Sequence, residues 1–327
     1  MEKRSFGKTG VQLGEVGLGC WQIGGSWGEV PEEQALEILR TAVESGVDFF
    51  DTADVYGDGR SERLIGRFLK ETRAEVFVAT KLGRGSDPGW PANFTLEAMR
   101  AHTEASLRRL DVEALDLTQL HCIPTEELRR GDVFGHLRTL QSEGKIRRWG
   151  ASVESMDEAL LCLEQEGLTS LQIIFNIFRQ KPIRTLFDRA REQGVALIVR
   201  LPLASGLLSG KFTAETRFPE EDHRNFNRDG QAFNVGETFA GLPFGEGVHL
   251  ANRIKPLVPE GMTMAQMALR WCLDWGAVSV VIPGARSPEQ ARANSAAADF
   301  PPLSPEIHAA LKKLYEEEVS PRIRGPY

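Results

Sequence analysis

One alternation constrains this chain more than any other feature. Short apolar runs, rich in β-branched residues or leucine, recur along it, each followed by a segment with helical spacing. The runs predict strands at Val16–Leu18, Phe49–Asp51, Val76–Lys81, Leu115–His121, Ile146–Ser152, Leu171–Asn176, Ala196–Arg200 and Val278–Ile282. The spacing predicts helices over 32–45, 61–70, 95–110, 127–143, 155–165, 182–193, 249–258 with 263–275, and 288–297. Ser61 and Glu62 suit the first turn of the second helix, and Pro31 and Pro288 suit first turns. Gly46 and Gly194 follow helices, where a left-handed backbone is common. Strand–helix units in this order favour a parallel sheet with helices outside. Eight of them can close as a barrel, whereas a doubly wound open sheet usually stops at about five or six strands. Gly17-Leu18-Gly19-Cys20-Trp21-Gln22 lacks the third glycine of a G-x-G-x-x-G dinucleotide-binding turn. The expected fold is α/β, a (β/α)8 TIM barrel, with residues 1–327 as one domain.

Two segments fall outside the alternation. Residues 4–14 hold Lys8-Thr9-Gly10 between short extended stretches and predict a hairpin capping the barrel floor. Residues 206–247, after the seventh strand, form a long irregular stretch carrying Phe212, Phe218, Phe226, Phe233, Phe239 and Phe244. A loop of that length in a compact domain is usually functional or disordered; its aromatic content argues for packing, hence for a lid over a site. The 39 basic and 46 acidic residues leave a net charge of -7, which disfavours nucleic acid as a partner. No apolar run approaches the ~18 residues of a membrane span. The first residues lack the apolar core of a signal peptide, so a cytoplasmic protein is expected. Cys20, Cys122, Cys162 and Cys272 form no C-x-x-C pair and no H-x-H occurs, so neither a disulfide framework nor a metal site is expected.

In such a barrel, function collects at the C-terminal ends of the strands. Asp51, Lys81 and His121 end the second, third and fourth predicted strands, and Tyr56 lies in the loop after Asp51. Singly, each has a plain structural explanation: a helix cap, a solvated lysine, a core histidine, a tyrosine packing the Gly57/Gly59 turn. Together they make a proton-transfer set. A free tyrosine has a pKa of ~10 and donates reluctantly at neutral pH. An ammonium within ~4–6 Å favours the phenolate and lowers that value. A carboxylate paired with the lysine holds it in place and offsets the burial of its charge. A nearby histidine can hydrogen-bond a carbonyl oxygen and orient it. Such a site would protonate an alkoxide as it forms, which is what hydride transfer to a carbonyl requires.

With these residues the chain resembles the aldo-keto reductase superfamily. Asp51-Thr52-Ala53-Asp54-Val55-Tyr56-Gly57-Asp58-Gly59-Arg60-Ser61-Glu62 is similar to the family's D-T-A-x-x-Y-G-x-x-x-S-E pattern. Thr80-Lys81, Gln119-Leu120-His121, Gly144-Lys145-Ile146-Arg147, Gly206-Leu207-Leu208-Ser209-Gly210-Lys211 and Ile282-Pro283-Gly284-Ala285-Arg286 follow in the family's order. The resemblance therefore spans essentially the whole chain. It implies an extended nicotinamide dinucleotide, NADP(H) in preference with NAD(H) as the other option, and a small-molecule carbonyl substrate. It implies Tyr56 as general acid, Lys81 and Asp51 lowering its pKa, and His121 orienting the substrate. Ser152 and Gln172 would hold the nicotinamide carboxamide. Trp21, Asp51, Arg200, Leu203, Gly206, Leu208 and Lys211 would also contact the cofactor, with Lys211 near the pyrophosphate. Gly284, Arg286, Gln290 and Asn294 would meet the far end of the nucleotide, Arg286 and Gln290 at the 2′-phosphate and Asn294 facing the adenine.

The chain departs from the family at several of these positions. Val153 stands where the G-x-S-N pattern has asparagine, so one carboxamide contact is absent or supplied by another residue such as Asn176. Arg200 stands where a tyrosine often stacks on the nicotinamide. Its planar guanidinium can stack similarly, but its charge would repel the oxidised ring and favour the reduced cofactor. His121 is followed by Cys122-Ile123-Pro124 rather than W-P, which leaves a smaller, less aromatic wall. Gly284 and Gln290 stand where many relatives carry lysine and arginine. Trp21, Trp27, Trp90 and the phenylalanine-rich stretch suggest a partly aromatic pocket, suited to aldehydes, ketones, sugars or quinones alike. The leading reading is a carbonyl reductase or alcohol dehydrogenase. Its competitors are a cofactor-binding, redox-sensing regulatory subunit and a Schiff-base aldolase with Lys81 as nucleophile. The oligomeric state is left open.

Overall fold

The computed structural model describes residues 1–25 and 27–327. Strands β1 (Lys3–Ser5) and β2 (Gln12–Gly14) pair antiparallel as the expected hairpin. Eight parallel strands follow. They are β3 (Leu18–Gly19), β4 (Phe49–Asp51), β5 (Phe77–Leu82), β6 (Leu117–His121), β7 (Trp149–Ser152), β8 (Ser170–Ile174), β9 (Ala196–Arg200) and β10 (Val278–Val281). Each pairs with its neighbour in chain order. The sheet closes on itself: Gly17 N donates to Val281 O at 2.8 Å, Gly19 N donates to Pro283 O at 3.0 Å, and Gly19 bridges Gly284. This is the (β/α)8 barrel that the alternation predicts.

The two-residue period of the strands separates two cores. Phe50, Val78, Leu120, Ala151, Leu171 and Leu197 belong to the larger one, packed with the helices. Phe49, Ala79, Leu117, Ala196, Ile198 and Val280 point the other way and pack with Phe6 and Leu13 of the hairpin, which plugs the floor. Each inward column then turns polar toward the rim. Phe49 is followed two residues later by Asp51, Ala79 by Lys81, Leu117 by Gln119 and then His121, and Ile198 by Arg200. Packing thus holds one end of the barrel while chemistry gathers at the other.

The helices Glu32–Glu44, Arg60–Thr72, Leu96–Leu110, Met156–Leu163, Met264–Leu273 and Pro288–Ser295 fall close to their expected places. The differences have local causes. Gly131, at φ 84°, divides the expected 127–143 helix into Thr125–Arg130 and Asp132–Ser142. Leu186 interrupts 182–193 and leaves Pro182–Thr185 and Phe187–Gln193. The helix expected from 249 begins at Phe244, directly after Pro243. A further helix, Pro305–Leu314, is capped by Ser304 and was outside the expected set. Ser61 does not serve the first turn; its hydroxyl donates to Cys20 O at 3.0 Å, while Glu62 accepts from Thr80 and Arg109. Among the described residues, no helix is long and apolar enough to cross a membrane.

Candidate active site

Asp51 is the last residue of β4, and the loop after it brings Tyr56 back over the barrel mouth. Asp54 N donates to Lys81 O at 3.2 Å, which ties this loop to β5, and Tyr56 N donates to Ala53 O at 3.2 Å. Gly57, at φ 61°, is needed here, because a Cβ would run into the carbonyl oxygen of Gly24. Lys81 Nζ donates to Asp51 Oδ1 at 2.5 Å, to Thr52 O at 2.8 Å and to Tyr56 Oη at 3.3 Å. All three ammonium hydrogens are engaged. The other oxygen of Asp51 accepts the side-chain amides of Gln172 at 2.6 Å and Gln119 at 3.2 Å. His121 meets the Tyr56 ring edge-on, 5.7 Å between centroids.

Burial opposes the Lys81 charge, but Asp51 and Tyr56 outweigh it and hold the ammonium above the ordinary lysine range. A lysine held as ammonium is no nucleophile, so the Schiff-base reading loses its basis. Tyr56 corrects an expectation. Burial is the largest influence and lifts the phenol's pKa above its ordinary value; Lys81 pulls it down, whereas the Asp51 carboxylate, expected to lower it, adds to the rise. At neutral pH the phenol is therefore an O–H donor. Burial, then the charges of Arg84, Lys81 and Arg200, push His121 well below the usual histidine range, so its imidazole is neutral.

These groups stand at one end of a cavity of about 400 Å³ that reaches to Arg286 and Asn294. It brings Asp51, Tyr56, His121, Ser152, Gln172 and Arg200 together with Trp21, Leu203, Gly206 and Lys211. Gly284, Arg286, Gln290 and Asn294 complete its far wall. Lys81 lies behind Tyr56 rather than on the cavity surface. Leu208, expected at the cofactor, is fully buried in the main core and does not line the cavity. Asn176 does not replace the contact missing at Val153, because Nδ2 donates to Leu201 O and Oδ1 accepts from Phe178 N, both at 2.9 Å. Arg200 instead reaches that place, donating to Val153 O at 3.1 Å. At the far end, the Gln22 side chain occupies the space that a side chain at position 284 would need. Arg286 N donates to Gln290 Oε1 at 2.7 Å, which occupies the oxygen of that amide and leaves its amino group to donate. Asn294 Nδ2 donates to Gly284 O at 3.2 Å.

The stretch 206–247 packs as its aromatic content predicts. Phe212, Phe218, Phe239 and Phe244 cluster at ring separations between 4.8 and 6.0 Å. His223 lies 4.2 Å from the ring of Trp27 and 4.8 Å from that of Trp21, which in turn stacks on Tyr56 at 5.8 Å. Glu237 and Arg224 of this stretch also line the cavity. Neither they nor Gln22 carry a motif signal. Glu237 pairs with Arg84 at 3.0 Å and stands 3.7 Å from Arg200, so the Arg200 charge expected to repel the oxidised ring has a carboxylate beside it.

Four residues lining the cavity carry buried polar atoms with no hydrogen-bond partner among the described residues: Gln22 Oε1, Trp27 Nε1, His121 Nδ1 and Arg200 Nε. A cleft with unmet donors and acceptors, and with glycines where backbone must approach closely, fits a nicotinamide dinucleotide.

The Aldo/keto reductase family model matches residues 15–316. The chain is 29% identical to the aldo-keto reductase YhdN of Bacillus subtilis, covering 100% of this chain and 98% of that protein. It is 30% identical to a probable voltage-gated potassium channel subunit beta of Arabidopsis thaliana, over 93% of each. Among solved structures, the holo form of aldo-keto reductase AKR11C1 from Bacillus halodurans superposes with a TM-score of 0.76 at 27% identity, covering 96% of both chains. Motif order, barrel and comparisons agree: the chain is an oxidoreductase belonging to the aldo/keto reductase family.

Proposed function

We propose that the chain, acting as one barrel unit over residues 1–327, interconverts an aldehyde or ketone with its alcohol, preferring NADP(H) and accepting NAD(H). The observation that carries this reading is the Tyr56 hydroxyl at the cavity, 3.3 Å from Lys81 Nζ, with Asp51 holding the ammonium from behind. The nicotinamide supplies or takes the hydride when bound. Neutral His121 donates one N–H to the substrate carbonyl oxygen and aims it at Tyr56. The phenol, kept protonated by burial, gives its proton to that oxygen as negative charge develops on it. Lys81 stabilises the phenolate left behind, and Asp51 keeps Lys81 from leaving. Ser152 and Gln172 hold the carboxamide; Arg286 and Gln290 meet the 2′-phosphate. The packed 206–247 stretch excludes water from the reacting end.

The test is nicotinamide absorbance with a panel of reactive aldehydes. We expect substrate-dependent oxidation of NADPH, and slower or weaker use of NADH. Tight cofactor binding without turnover on any aldehyde would instead favour a redox-sensing regulatory subunit.

A further inference from the structure

Arg200 ends β9 and lines the cavity beside Ser152 and Gln172. On the reading above, on which this inference rests, it lies against the nicotinamide end. The guanidinium is fixed in place: Nη2 donates to Val153 O at 3.1 Å and to Cys122 Sγ at 3.4 Å. Its countercharge comes from the long loop that follows the same strand. Glu237, in the turn Val235–Glu237, sets Oε2 3.7 Å from Arg200 Nη1 and Oε1 3.0 Å from Arg84 Nη2. Arg84 also contacts Glu154 at 3.0 Å, and Asn234 donates to Glu154 at 3.0 Å. The Arg200 and Glu237 side chains are only 11% and 6% exposed, so water and salt screen them little.

An oxidised nicotinamide ring carries a positive charge and the reduced ring does not. A bare guanidinium beside it would therefore discriminate against the oxidised form. We propose that Glu237 is a positioning residue that sets the balance between oxidised and reduced cofactor, by offsetting part of the Arg200 charge at the ring while it also pairs with Arg84. The chain thereby keeps a planar guanidinium at the end of β9 without strongly favouring binding of the reduced cofactor. Burial opposes the Glu237 charge, but Arg84 and Arg200 hold its carboxyl well below the usual range, so the countercharge is present at neutral pH. The carboxylate is also separable from the shape of the loop. Ser205 Oγ donates to Glu237 O at 3.1 Å and accepts from Phe239 N at 3.2 Å, which anchors this backbone without the acid.

The test is titration of the full-length chain with NADP+ and with NADPH, read by fluorescence or calorimetry. The wild type should bind both forms. Glu237→Gln keeps the shape and removes the charge; it should weaken NADP+ on the order of 10-fold or more while NADPH changes far less. Arg200→Gln should shift the ratio toward NADP+, and the double variant should return it toward the wild type. Equal losses for both forms in Glu237→Gln would overturn the proposal and leave the carboxylate as a loop clamp. If that variant fails to fold, an unchanged ratio in Arg200→Gln would overturn it as well. A wild-type chain that bound neither form would defeat the reductase reading itself, a different result from wild-type binding with an unmoved ratio.

Discussion

The side-chain amide of Gln172 donates to Asp51 Oδ2 at 2.6 Å, linking β8 to β4 across the mouth of the barrel. Gln119 donates to the same oxygen at 3.2 Å, and Lys81 takes the other. A buried carboxylate needs all of these partners. Gln172→Leu should cost about 1–3 kcal/mol of stability through the donor lost to Asp51, even without cofactor. Denaturant unfolding measures this, and an unaltered midpoint would show that the amide does not hold Asp51.

Lys81→Met removes the charge that pairs with Asp51, whose side chain is 4% exposed. An unpaired buried carboxylate destabilises by roughly 3–5 kcal/mol. Adding Asp51→Asn removes that charge too, so the double variant should recover much of the loss while remaining inactive. Losses that simply add in the unfolding curves would contradict the buried pair.

His121 gives a prediction in pH. Its folded pKa lies well below the ~6.5 of an unfolded histidine, so the unfolded chain takes up this proton first as pH falls. Stability from this residue is present above about pH 6.5, declines below it and rises with pH through that window. His121→Gln cannot titrate and should flatten this part of the profile. Equal slopes for variant and wild type between about pH 5 and 7 would show that the imidazole is not held neutral.

How far the sequence reaches is visible in single residues. Asp51, Lys81 and His121 were legible because strand periodicity and strand order are local signals, and an inward column that turns polar at its end marks a barrel rim. Gly131 was visible as a glycine, but a glycine inside a helical pattern does not by itself say that the backbone turns left-handed there. Glu237 was illegible. It sits in a stretch with no periodicity, and its partners Arg84 and Arg200 meet it only after the turns at Ser205 and Val235–Glu237 form. The direction of the Tyr56 pKa was also out of reach, because it depends on burial outweighing a charge that the motif does reveal.

Arg286 tests the nucleotide assignment. It is exposed at the far wall of the cavity, and Gln290 offers a neutral donor beside it. A hydrogen bond to a charged group contributes ~1.5–3 kcal/mol, so Arg286→Ala should weaken NADPH by ~10–100-fold and leave NADH nearly unchanged. Paired binding titrations check this; equal losses for both cofactors would remove Arg286 from the 2′-phosphate.

The central claim is that the Tyr56 hydroxyl supplies the proton. Tyr56→Phe deletes that hydroxyl and little else, so the most direct measurement is its turnover with an active aldehyde, alongside its affinity for NADPH. Turnover should fall by ~10²–10⁴, the usual span for losing a general acid, while cofactor affinity stays close to that of the wild type. Near-wild-type turnover in Tyr56→Phe would contradict the account.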